Sequence, residues 1–351
     1  MYLYKNPYIL CYLFSCVGLG TTITFASSHW LLAWMGLEMN TLAFVPLMVK
    51  DPMGRAMEAA AKYFFTQAGA AALLLFSAVL NALISGQWDI HQMDHPVPVT
   101  LFVLAMALKL GIPPGHAWLT EVMQGLTLMM GMALSTWQKL APFVLLIQIQ
   151  PSNQVILLAL GLISIVVGGL GGLNQAQLRK MMAYSSIAHL GWALVVLQFS
   201  VVLSILALIT YMMTSSALFI MFTFTKSLNM NALATAWTKN PPLAALLLLI
   251  LLSLGGIPPL MGFMPKWLII QELIQQGFIV LASLAAMSAL LSLFFYVRIA
   301  YAASLTISPN NLSGTAPWRL PTTNHALLLA PLSALTLAAL PLTPTVMTLL
   351  P

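Results

Sequence analysis

The sequence predicts an all-α protein that crosses a membrane many times. Three observations carry that prediction. Of the 351 residues, 60% are hydrophobic and 6% are charged, with a mean hydropathy of +0.95. A soluble domain carries about 25% charged residues, so this chain lacks the polar surface to cover itself in water. Apolar runs of about 20 residues, the length of a helix that crosses hydrocarbon, can be read eleven times along the chain. The tetrapeptide Gly-Ile-Pro-Pro occurs twice, at Gly111–Pro114 and Gly256–Pro259, each time inside such a run.

The runs follow in order. The first is Pro7 to Ala26. The second, His29 to Val49, contains Glu38. The third, Ala59 to Ser85, is led in by Arg55 and Glu58 and contains Lys62. Gly86 to Pro98 is a polar connection with Asp89, His91, Asp94 and His95. Val99 to Leu119 holds Lys109 and the first Gly-Ile-Pro-Pro, and Val122 to Ile149 holds Lys139. Val155 to Leu173, Ile187 to Phe199 and Val201 to Thr225 are the next three. Leu243 to Gln275 is too long for one straight helix and carries the second Gly-Ile-Pro-Pro and Lys266. Phe278 to Ser304 follows, then a polar loop with Pro309, Pro317, Arg319 and Pro321, and a last run from Ala326 to Leu340. If these eleven runs alternate across a membrane, ten of the thirteen Lys and Arg residues fall on one side and none on the other. The other three are Lys109, Lys139 and Lys266, inside the runs. This segregation is what the positive-inside rule expects of a correct span count.

Composition excludes several classes. The formal charge of +6 is spent on topology and does not indicate nucleic-acid binding. Cys11 and Cys16 are five apart and share no helical face, so packing is favoured over a metal site or disulfide. No cleavable signal is expected, since Met1 to Lys5 run into the first span without an Ala-x-Ala site. No Gly-x-Gly-x-x-Gly follows a strand, no P-loop is present, and no Cys or His cluster fits iron–sulfur or haem. A redox centre or nucleotide is therefore not expected in this chain.

Proline removes a backbone donor and clashes with the preceding turn, so Gly111, Pro113 and Pro114, and again Gly256, Pro258 and Pro259, should break their helices. Broken helices at membrane depth persist only inside protein or beside a wet cavity. Paired interruptions in two halves of a chain point to a transporter with its ion path at the breaks. Glu38, Lys109, Lys139 and Lys266 are ionisable groups at that depth, costly there and functional by default. Lys139 is too far from a span end to snorkel; for Lys266, near Trp267, Gln271 and Glu272, an interfacial role competes. His116 is read either as a proton relay or as a cap on freed carbonyls. Ser185, Ser186 and His189 offer hydroxyls and an imidazole to a hydrated path, or act as packing glue between helices.

Three stretches carry a resemblance: Ser27 to Asn40, Ser135 to Pro142, and Gly255 to Trp267. They are similar to the antiporter-like proton-pumping membrane subunits of mitochondrial NADH–ubiquinone oxidoreductase, respiratory complex I, and the likeness runs nearly end to end. Pro113 departs from it, standing where a small residue is expected. The resemblance implies eleven transmembrane helices in two inverted five-helix repeats, about 7–150 and 152–304, each with a broken helix, and a C-terminal helix at about 325–347. It matches Glu38 and Lys109 to a glutamate–lysine pair, Lys139 to a central lysine and Lys266 to the lysine of the second half-channel. It implies proton translocation coupled to electron transfer from NADH to ubiquinone, both used elsewhere in the complex. Partners would be other complex I membrane subunits and the lipid bilayer. The location would be the mitochondrial inner membrane with the N-terminus on the matrix side. The rival readings are a stand-alone cation/proton antiporter and a structural assembly subunit.

The charge segregation makes a topological prediction. Single cysteines placed in the loops Val49 to Ala60 and Leu173 to Met181 should react with an impermeant reagent from the matrix side. Cysteines in Gly86 to Pro98 should react from the opposite side, and reversal at any of the three would rule out the alternation.

Overall fold

The computed structural model describes residues 6–49, 53–150, 154–239, 241–305 and 326–349. Lys5, Lys50, Arg319, His325 and the polar loop before the last run lie outside the described residues. The chain forms two compact units, Met1–Leu160 and Gly161–Pro351. Among the described residues there is no β-strand, only the isolated bridges His29–Asp89 and Gln177–Asn229, one in each unit.

Unit one contains α1 (Pro7–Ala26), α2 (Trp30–Met48), α3 (Gly54–Ser85), α4 (Pro96–Leu110), α5 (Ala117–Gly125), α6 (Leu128–Ser135) and α7 (Trp137–Ile149). The unit boundary falls inside α8 (Gln154–Gly172). Unit two then adds α9 (Leu178–Leu197), α10 (Val201–Thr225), the short α11 (Met230–Ala234) and α12 (Ala236–Lys239), α13 (Pro241–Gly255), α14 (Phe263–Gln275), α15 (Ile279–Ser304), α16 (Ala326–Ala338) and α17 (Thr343–Leu349).

Helix ends follow local chemistry. Pro7 occupies the first position of α1 and Asn6 caps it, its side chain accepting from the Tyr8 amide, as expected for that pair. His29 caps α2 through Nδ1 and stacks on Trp88, so it is built into the fold and is not merely a solvated interfacial residue. α4 and α13 stop at glycines with positive φ, Gly111 at 75° and Gly256 at 83°, and each stop is followed by Ile and a cis Pro–Pro bond. Only glycine takes that conformation without a Cβ penalty.

The structure moves several boundaries read from the sequence. α3 starts at Gly54, so Arg55, Glu58 and Lys62 ride on the helix. α9 starts at Leu178, not at Ile187, and Arg179 and Lys180 lie in its first turn. Its polar residues do not interrupt it because Ser185 and Ser186 return their hydroxyls to the Met182 and Ala183 carbonyls. The run from Val122 to Ile149 is not one helix. Extended Leu126 and Thr127 separate α5 from α6, and Thr136 kinks α6 against α7. Pro142, inside α7, cannot donate to the Gln138 carbonyl, which favours a bend there. The C-terminal run bends by 74° between Ala338 and Leu340. Among the described residues eight segments, with α6 and α7 taken together as one, are long and apolar enough to cross a membrane, or nine with that bent pair counted; α4 and α13 are too short alone.

α1 and α2 pack through small residues. A Cβ on Gly20 would lie 2.8 Å from the Gly36 carbonyl oxygen, and one on Gly36 would lie 2.8 Å from that of Gly20. Close backbone approach of this kind holds membrane helices together where lipid supplies no hydrophobic drive. Gly36→Ala should therefore destabilise unit one by roughly 1–3 kcal/mol, the usual cost of overpacking. The shift should be visible in a denaturant titration of the detergent-solubilised chain.

Candidate functional site

The four ionisable residues sit at helix interruptions or face cavities. Lys109 is in the last turn of α4, where a cation suits the helix C-terminus. Lys139 is in the first turn of α7, just past the Thr136 kink. Lys266 is in the first turn of α14, just past the second break. All three are buried, with 5%, 3% and 8% of their surface exposed. Glu38, at the middle of α2, is half-buried.

Lys109 and Lys139 line one cavity of about 20 Å³, together with Asn40, Gln67, Tyr63 and Gln138. That is room for about one water. The Lys109 ammonium nitrogen is buried and makes no hydrogen bond to protein. The uncharged walls are linked: Gln138 Nε2 donates to Asn40 Oδ1 at 3.0 Å, and the Tyr63 hydroxyl donates to Gln138 Oε1 at 3.4 Å. Gln67 Nε2 donates to the Lys109 carbonyl at 3.3 Å, and Trp118 Nε1 to the Leu108 carbonyl at 3.0 Å. Carbonyls freed at the first break thus find neutral donors.

The second break is served differently. Lys266 Nζ donates to the Gly255 carbonyl at 2.9 Å and the Leu254 carbonyl at 3.3 Å. The cation itself closes the end of α13.

Glu38 does not touch Lys109. Among the described residues, the ion pairs within 4 Å are Lys62–Glu58 and Lys62–Glu121. Glu38 is not among the residues that line the cavity of Lys109 and Lys139, and among the described residues one of its carboxylate oxygens is buried without a hydrogen-bond partner. It faces a largely apolar groove along α1 and α2, beside Tyr12, Cys16, Trp34 and Met39. His116 precedes α5 at its N-cap position and is half-buried. In unit two, Ser185 and Ser186 are buried and donate to their own helix, and His189 stacks on Tyr211 with ring centroids 5.2 Å apart.

Sequence reasoning singled out the charges and passed over the amides. Asn40, Gln67 and Gln138 connect the helices around Lys109 and Lys139. Their signal was present, as lone amides in apolar runs near the charged residues.

The description "NADH:quinone oxidoreductase/Mrp antiporter, TM" matches residues 27–292, and "NADH dehydrogenase subunit 2 C-terminus" matches residues 293–347. The NADH-ubiquinone oxidoreductase chain 2 of Salmo salar is 58% identical over 349 residues, covering 98% of this chain and 99% of that one. The same chain of Danio rerio is 52% identical over 345 residues, again 98% and 99% covered. Among solved structures, a chain of respiratory complex I from Thermus thermophilus with bound aureothin superposes with a TM-score of 0.86 at 26% identity. It covers 98% of this chain and 80% of its own. A chain of the Mrp complex from Dietzia sp. shares the fold, with a TM-score of 0.81 at 18% identity over 96% of this chain and 76% of its own.

The linked amides give a prediction. Gln138→Leu removes the side-chain amide that Asn40 and Tyr63 bond and should cost roughly 1–3 kcal/mol, the penalty of an unsatisfied buried polar group. Gln138→Glu, which keeps the shape and an acceptor for Tyr63, should cost less. Denaturant titration of both variants in detergent compares them.

Proposed function

We infer how the site works from one premise: this chain belongs to the NADH:quinone oxidoreductase/Mrp antiporter transmembrane family, as a chain 2 member. It is a multi-pass, proton-translocating membrane subunit of NADH–ubiquinone oxidoreductase and sits beside the other membrane subunits of that complex. The reading of the site goes further. Lys109 and Lys139 are the proton carriers of one half-channel, Glu38 modulates the first of them, and Lys266 serves the second half.

One observation supports this most: two lysine amines line one cavity that holds about one water. An ammonium can pass a proton through that water to a neutral amine, leaving the charge of the cavity unchanged. A nearby carboxylate favours the charged amine, and weakening its influence favours release. Glu38, close enough to act on Lys109 without contact, suits a group whose influence rises and falls. The amide-lined walls hold the water and keep Tyr63 in register. Lys266, bound to two carbonyls, must exchange those contacts for water before it passes a proton on. The Ser185, Ser186 and His189 side chains are the candidate relay in that half.

Each broken segment counts as a span in this reading, which gives eleven. The inner mitochondrial membrane is the location, with the N-terminus on the matrix side. Among the described residues no three His, Cys, Asp or Glu side chains gather.

Lys139→Ala in the assembled complex should cut protons pumped per NADH roughly tenfold, equivalent to about 1.4 kcal/mol in the transfer step. NADH oxidation with an artificial acceptor should be retained. Lys109→Arg should impair pumping as well, because a guanidinium does not release its proton at accessible pH. Wild-type pumping by the arginine variant would show that Lys109 is only structural.

A further inference from the structure

A second polar space lies between α3 and α5. It measures about 350 Å³ and is lined by Arg55, Glu58, Ala59 and Lys62 of α3 and by Glu121, Gln124 and Gly125 of α5. α3 has 32 residues and is about 48 Å long, against a hydrocarbon thickness of about 30 Å. Its first turns, which carry this lining, can therefore extend toward water.

Neighbouring residues on the same two helices face the lysine cavity. Tyr63 follows Lys62, and Trp118 is one turn before Glu121; both line the inner space. Their rings approach with centroids 5.8 Å apart. The two rings thus face the lysine cavity from the same two helices that carry the charged lining of the vestibule.

Lys62 holds the two helices together. Its ammonium lies 2.7 Å from Glu58 on its own helix and 2.6 Å from Glu121 on α5. The ends are also tightly apposed: a Cβ on Gly125 would sit 2.6 Å from the Arg55 carbonyl oxygen and 2.7 Å from Ala59 Cβ. α5 is only nine residues long, hung between the first break and the extended Leu126–Thr127 link. Such a segment moves as a small rigid body on two hinges. Releasing Glu121 leaves no bare ammonium, because Glu58 keeps it, and part-exposed pairs of this kind contribute little each. Releasing one of the two carboxylates therefore costs little, while the Gly125 contact still sets the closed position.

We propose that the α3–α5 vestibule is the aqueous mouth of the lysine cavity, that Tyr63 and Trp118 are its partition, and that Lys62 is the positioning residue that latches it. This rests on the reading of Lys109 and Lys139 as proton carriers. With the latch closed, the cavity holds its proton apart from the vestibule. With Glu121 released, α5 carries Trp118 away from Tyr63 and water joins the two spaces.

The test measures access, independently of pumping. In the assembled complex, with Cys11→Ser and Cys16→Ser as background, Thr41→Cys places a thiol on the cavity wall. Its reaction with a small, charged methanethiosulfonate is timed from the matrix side and from the opposite side. Lys62→Met should speed the matrix-side reaction several-fold by removing the cation that bridges Glu58 and Glu121 and so favouring local opening. Lys62→Arg, which keeps the cation between both carboxylates, should restore the slow rate. Gly125→Ala, which pries the helices apart without touching a charge, should also speed it. An unchanged rate in Lys62→Met, an arginine variant as fast as the methionine one, or acceleration from the opposite side alone would each overturn the latch. Access as expected alongside wild-type pumping by Lys139→Ala and Lys109→Arg would count against the lysine carriers and leave the mouth in place.

Discussion

A backbone broken inside hydrocarbon must find partners for its freed carbonyls, because lipid offers none. Both Gly-Ile-Pro-Pro segments face that demand, and they meet it with different donors. At the first break Gln67 and Trp118 bond the Lys109 and Leu108 carbonyls. At the second, Lys266 bonds the Leu254 and Gly255 carbonyls itself. The choice decides what each lysine is free to do. Neutral donors at the first break leave the Lys109 amine facing a cavity. At the second break the amine is bound to the end of α13. Equal sequence at the two breaks thus gives unequal chemistry, set by which neighbouring helix brings an amide.

The breaks, the lysines and the order of the helices were legible in the sequence because each breaks a strong local rule. Pro–Pro cannot continue a helix, and an ammonium is out of place in an apolar run. What remained hidden depends on contacts between distant parts of the chain. Nothing local says that Gln138 reaches Asn40 and Tyr63, since an amide in a membrane helix costs too little to stand out. The kink at Thr136 is equally quiet: Thr136 and Pro142 are each tolerated within helices, yet the kink puts Lys139 at a helix start. The resemblance matched Glu38 with Lys109. The fold also puts Lys109 and Lys139 on one cavity, whose lining does not include Glu38.

That grouping of like charges is the tighter constraint on mechanism. Two unit charges 4 Å apart at an effective dielectric of 20 repel by about 4 kcal/mol, and doubling the separation still leaves about 2. A cavity of about 20 Å³ holds too little water to screen two ammonium groups. One proton shared between two amines avoids the cost, whereas two would incur it. The arrival of a second proton therefore drives out the first, provided there is an exit. An opposite-sign pair in contact would behave the other way, holding its proton state fixed and resisting turnover. The absence of a direct Glu38–Lys109 contact within 4 Å is then consistent with transport, since a tight pair would trap the charge it is meant to pass. Repulsion within the cavity, tempered by a carboxylate at a distance, gives a site that accepts one proton readily and does not keep it.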